Sequence, residues 1–224
     1  MASINQLVSE LSHIVQGADN IAVRRAMRLA IVHSRNKLIR QSYENHKSVD
    51  KVLTQRYKVA VDIVSDGDIA TDIDYTDDIV LRTVDKVHVP TRFPNGVPFL
   101  TVKTVGSVTP IIIPFIREGH YQFYNSLPGF CVNIGYDYIN RYIYIFVPKD
   151  SNLQNIKYIV IESVFEEPAQ IETETNEGTY NYNDNDEYFL PEDMIDDLKT
   201  IILNTFNHTS LRDTNEVRDD TLTV

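Results

Sequence analysis

Along the first 48 residues apolar side chains recur at spacings of three and four, the period of a helix with one covered face. Ile4, Leu7, Val8, Leu11, Ile14 and Val15 form one such run. Ser3 and Gln6 fit a capping box at its start, and Gly17 supplies a stop. A second helix is predicted to begin after Asp19 or Asn20, both good N-caps. It runs through Ile21, Val23, Ala26, Met27, Ala30, Ile31, Leu38 and Ile39 to about Tyr43. At about 100° per residue, Arg24, Arg28 and Arg35 fall in a narrow stripe of this helix. Apolar residues lie on nearly every other side, so the helix is expected to be covered from several directions, in part by neighbouring subunits.

From Arg56 to Phe165 the period changes to two, with turn residues between short β-branched and aromatic runs. Strands are predicted within Tyr57–Val64, Ile79–Val89, Val97–Val105, Pro110–Ile116, a hairpin Tyr136–Val147 turning at Asn140-Arg141, and Ile156–Phe165. Tyr142, Tyr144 and Phe146 alternate with Ile143, Ile145 and Val147, so both faces of that strand are apolar. It is expected to be central and covered on each side. Ala169 to Glu187 is rich in Glu, Thr, Asn and Tyr and reads as a loop or extended arm. Leu190-Pro191-Glu192-Asp193 then opens a helix whose apolar face is Met194, Ile195, Leu198, Ile201, Ile202 and Phe206. Residues 209–224 read as a polar tail.

Composition narrows the function classes. In 224 residues, 42% are hydrophobic and 24% charged, the balance of a soluble globular protein. The single cysteine, Cys131, has no partner for a disulfide in the chain, and its surroundings suggest a small buried hydrophobe. No signal-peptide pattern and no apolar run of membrane-spanning length is evident, so an intracellular, soluble protein is expected. The net charge of -11 is uneven. Residues 1–60 hold 10 basic and 4 acidic side chains, whereas residues 166–224 hold 3 and 16. Such an acidic chain is poorly equipped to grip phosphates but suits a surface past which DNA slides. Opposite charge at the two ends also suits head-to-tail packing of identical subunits.

Candidate chemistry is sparse. The six histidines show no metal spacing, and no P-loop, dinucleotide fingerprint, nucleophile elbow or Cys/His zinc framework occurs, so no catalytic residue, metal ligand or cofactor is expected. Asp66, Asp68, Asp72, Asp74, Asp77 and Asp78 crowd one loop and form either a solvated turn or a divalent-cation site, which leaves a cation-dependent enzyme or binding module as an alternative. Asn181, Asn183, Asn185 and Glu192 match oxygen positions of a calcium loop, but Asp186 stands where that loop needs glycine. The tyrosines between Tyr121 and Tyr144 read as core and subunit-interface anchors, or as a ligand-binding surface of a β module on which sugar rings or single-stranded nucleic acid would stack.

Several phrases carry a family resemblance: Val89-Pro90-Thr91-Arg92-Phe93, Val97-Pro98-Phe99-Leu100, the hairpin Tyr138 to Phe146, Ile156-Lys157-Tyr158-Ile159 with Phe165-Glu166-Glu167-Pro168, and Leu190 to Ile195. With two N-terminal helices before a tyrosine-rich β region and a helix after it, the chain resembles the head-to-tail connector, or ring, proteins of short-tailed phages, nearest in look to those of crAss-like phages. The resemblance implies an α+β fold in which N-terminal helices (1–50) and a C-terminal helix (190–208) form a helical bundle. An antiparallel β domain (51–168), a sandwich or barrel-like wing, is inserted between them, followed by an extended acidic arm (169–189). It further implies a structural, non-enzymatic virion protein, assembled in the host cytoplasm as a dodecameric ring below the portal. That ring would extend the DNA channel and dock further tail proteins, with no specific DNA binding and no membrane contact. On this reading Arg24, Arg28 and Arg35 pair with Asp193, Asp196 and Asp197 within or between subunits, and Tyr142 and Tyr144 contribute to the subunit interface.

Overall fold

The fold comes from a computed structural model that describes residues 2–15, 17–64, 79–105, 110–116, 134–148, 152–175 and 178–219. Among the described residues it is an α+β protein with three helices and an inserted antiparallel β region. The chain divides into two compact units. One joins Met1–Leu53 to Tyr182–Val224, and the other is the continuous stretch Thr54–Asn181.

In the helical unit, α1 spans Ile4–Ile14 and starts where expected, with the Ser3 side chain accepting from the Gln6 amide. The capping box is half made, because the Gln6 side chain donates to Glu10 at 3.4 Å instead of returning to Ser3. The Gly17 amide donates to the Ser12 carbonyl at 2.9 Å, and a Cβ at Gly17 would stand 2.7 Å from Val23, so glycine is needed for the close approach of the next helix. That helix, α2, spans Ile21–His46 and is capped by Asn20, whose side chain accepts from the amides of Ala22 and Val23. The last helix, α3, spans Asp193–Asp219. It continues eleven residues past His208, where the sequence reading ends it, because residues 209–219 are polar yet hold no proline or glycine to stop a helix. The three helices share one core, in which Leu7 and Leu11 of α1, Met27 and Ile31 of α2, and Leu198 and Ile202 of α3 are buried.

In the β unit six strands form one curled antiparallel sheet in the order β3-β6-β1-β2-β5-β4. The strands are β1 Gln55–Ile63, β2 Ile79–Thr83, β3 Thr101–Thr104, β4 Gly135–Ile139, β5 Tyr142–Val147 and β6 Tyr158–Ser163. Its main core gathers alternate residues of the strands, among them Val59, Leu81, Tyr136, Ile143, Ile145, Ile159 and Ile161. The β4–β5 hairpin turns at Asn140 and Arg141, both left-handed with φ of 53° and 69°, the geometry of a two-residue type I′ turn.

Three strands, β2, β3 and β6, are shorter than the β-branched runs suggest, and one run is not a strand. Beyond Thr83 the chain leaves the ladder, and the Val87 amide donates to the Arg141 carbonyl while Val89 accepts from the Glu166 amide. Pro110 to Ile116 makes only isolated bridges, to Lys103 and Tyr136, with Pro110 and Pro114 removing ladder donors. The polar stretch expected as an extended arm contains a two-stranded hairpin, β7 Glu172–Thr175 with β8 Gly178–Asn181. Backbone pairing there needs no apolar signal that a sequence would show.

Candidate functional site

The most constructed polar feature of the helical unit is the stretch between Tyr182 and Leu190, which the sequence leaves as a featureless polar segment. It is a strap tied across α1 and α2. The Asn5 amide donates to the Asp184 carbonyl at 3.2 Å, the Asn5 side chain donates to Asn185 at 2.9 Å, and the Tyr188 amide donates to the Ala2 carbonyl at 3.1 Å. Tyr188 and Leu190 sink into the helical core, and Tyr182 stacks against Phe189 with ring centres 5.6 Å apart. Inside the strap, Asn183 and Asp186 fold back on the loop's own amides. Of the oxygens with calcium-loop spacing, that of Asn183 accepts from the Asn185 amide and that of Asn185 from the Asn5 side chain. Among the described residues no group of three or more His, Cys, Asp or Glu side chains is placed to hold a metal ion.

The strap accounts for two of the three stripe arginines. Arg28 grips Asp184 with both terminal nitrogens, at 2.6 and 2.8 Å, a bidentate pair that is part exposed. Arg35 is fully buried; its Nε donates to the Phe189 carbonyl at 2.8 Å, and its guanidinium lies 5.8 Å from the centre of the Tyr188 ring. Burial lowers the Arg35 pKa, with Tyr188 opposing the shift. Tyr188 is itself pushed up to about 12 by burial, against the pull of Arg35 and Arg28. Arg24 donates to the Ser9 hydroxyl of α1 at 3.4 Å.

Within the chain these arginines therefore meet the strap and α1, not Asp193, Asp196 and Asp197. Those three carboxylates lie exposed on the first turns of α3, where the helix dipole favours them. Lys199 of α3 faces the other way and pairs with Glu10 of α1 at 2.7 Å, holding the Glu10 carboxyl below its usual range. The residues that sequence reasoning missed are Asp184, Tyr188, Phe189 and Leu190. Their only signal is the return of aromatic and aliphatic residues at positions 182, 188, 189 and 190 inside a polar run.

In the β unit Tyr144 is buried and Tyr142 half-buried. Both belong to a small cluster with Val80 and Phe146 on the face opposite the main core. Arg82 sits over the Tyr142 ring at 5.0 Å. Strand β5 is thus apolar on both faces and covered on both within the folded chain. It lies next to the sheet edge, not at the centre of the sheet. The Asp66 to Asp78 cluster, Cys131, Tyr121, Phe123 and Tyr124 lie outside the described residues.

The chain belongs to the family described as phage tail ring protein 2, the crAss ring 2 family, whose model matches residues 6–221. The comparison with curated proteins gave no match. The family makes the protein a structural ring component of a phage tail and points away from catalysis. Among the described residues no helix is long and apolar enough to cross a membrane.

Proposed function

We propose that the protein forms a closed homo-oligomeric ring of twelve copies in the head-to-tail connector, below the portal. There it continues the DNA channel and docks the next tail component. The observation that carries this reading is the family match, which runs through both units and so assigns the whole chain, not one module, to a tail ring. The charge supports it: an acidic balance of -11 lets DNA pass without a ladder of phosphate contacts to hold it. Binding to the portal, docking of further tail proteins and assembly in the host cytoplasm follow from that position.

The position is tested by averaging the connector region in electron cryomicroscopy images of the virion that carries this protein. Density below the portal should hold twelve copies of the helical unit around an open channel. Density for this chain found only elsewhere in the tail, or with a different rotational order, overturns the proposal.

A further inference from the structure

Helix α2 carries a surface that the described residues leave uncovered. Ile21, Arg25, Leu29, His33 and Lys37 follow one another at every fourth position, and all five are exposed, Ile21 at 69% and Leu29 at 71%. Side chains four apart line up as a ridge, here running about 24 Å at 1.5 Å per residue. Beside it Ala22 and Ala26, both exposed, and the half-buried Ala30 leave a shallow groove parallel to the ridge. A ridge and groove of the i, i+4 kind form the commonest helix-packing surface in globular proteins. The arginines that serve the chain's own fold, Arg24, Arg28 and Arg35, are not part of it. Arg25 and Lys37 are, and neither has a partner among the described residues.

Helix α3 offers the complement. Asp193, Asp196, Asp197, Thr200 and Asn204 are exposed on one side of it, three carboxylates with no cation among them. Lys199 is turned away, engaged with Glu10. Both faces belong to the same compact unit and both remain open in it. A single copy therefore cannot bring them together, and a second copy can.

We infer that the Ile21–Arg25–Leu29–His33–Lys37 ridge of one copy packs against the acidic face of α3 in the next, with Arg25 meeting the turn of Asp193, Asp196 and Asp197. This contact joins two different faces, so each copy keeps one of each free and the association repeats around a ring. The inference rests on the ring reading and gives it a subunit interface. Charge selects which faces meet, while Ile21 and Leu29, with the half-buried Met194 and Ile201 at the margin of the α3 face, contribute the apolar area.

Two charge-reversed proteins test it. Variant one carries Arg25→Glu and Lys37→Glu, so both of its faces are acidic. Variant two carries Asp196→Lys and Asp197→Lys, so both are basic; Asp193 is kept to preserve the first turn of α3. Each alone should fail to form rings, with the concentration for half assembly raised roughly tenfold or more. Mixed one to one, they should form rings in which the two alternate, because every junction then pairs opposite charges. Native mass spectrometry reads the equal copy numbers directly. Circular dichroism of each variant checks that the chain is folded; if a reversal melts, the neutral changes Arg25→Gln and Asp196→Asn, tested singly, should each raise the same concentration. Wild-type-like rings from either reversed variant, or no mixed rings where wild type assembles, overturn the interface. Failure of wild type itself to assemble overturns the ring reading instead.

Discussion

Tyr188 anchors the strap: its ring is buried in the helical core beside Arg35, yet its hydroxyl has no hydrogen-bond partner among the described residues. A buried hydroxyl without a partner costs stability, so Tyr188→Phe should leave the protein as stable or stabilise it by about 1 kcal/mol. Tyr188→Ala, which removes the ring and opens a cavity, should cost about 3–5 kcal/mol in urea unfolding. A loss of more than about 1 kcal/mol in the Phe variant means that the hydroxyl is bound and the account of the strap is wrong. The same residue gives a pH signature. The fold favours the neutral phenol, so its contribution is complete below pH 10 and is lost as the pH rises from 10 towards 12, where the unfolded chain ionises first. Over that window the stability of Tyr188→Phe should fall less steeply than that of wild type, by up to about 1.4 kcal/mol per pH unit. Parallel slopes would show that burial does not hold Tyr188 neutral. At this scale the stripe Arg24, Arg28, Arg35 was legible as a special set. The partners were not: Asp184 and the Phe189 carbonyl lie about 150 residues away in a polar run, and periodicity carries no information about such contacts.

Among the elements, the helix starts were written locally, in Ser3 and Asn20, whose side chains take the amides that a helix leaves open. The β4–β5 hairpin was equally legible, because two alternating runs flank a two-residue turn. Its second turn residue is an arginine at φ 69°, where a side chain crowds its own backbone. In partial exchange, Arg141 makes a long 3.3 Å bond from Nε to the Val87 carbonyl. Relief of strain outweighs that weak bond, so Arg141→Gly should raise stability by about 0.5–1 kcal/mol in thermal or urea unfolding. A destabilised glycine variant would mean that the guanidinium is a structural tie of the β unit. Less legible were the short strands and the length of α3. Proline and cross-connections cut the strands at Thr83 and near Pro110, and nothing in residues 209–219 forbids the helix from continuing.

For the whole molecule, the α+β class and the β region inserted between helices followed from the change of period, 3.6 to 2 and back. The division into units places Thr54–Asn181 in one continuous stretch with its own core. Residues 54–181 made alone should therefore give a β-type circular dichroism spectrum and one cooperative urea transition. A chain that stays unfolded would show that the β unit depends on the helical one. What periodicity could not supply is the assembly. Excess apolar surface on α2 hints at neighbours, but which faces stay open is decided only once the strap has claimed Arg28 and Arg35. The central claim, a closed ring of identical copies, is tested most directly by native mass spectrometry of the purified protein, alone and with the portal protein of its own virus. The account predicts a single discrete assembly of twelve copies, free or bound to the portal. A protein that stays monomeric in both samples, or gives an open ladder of sizes, contradicts it.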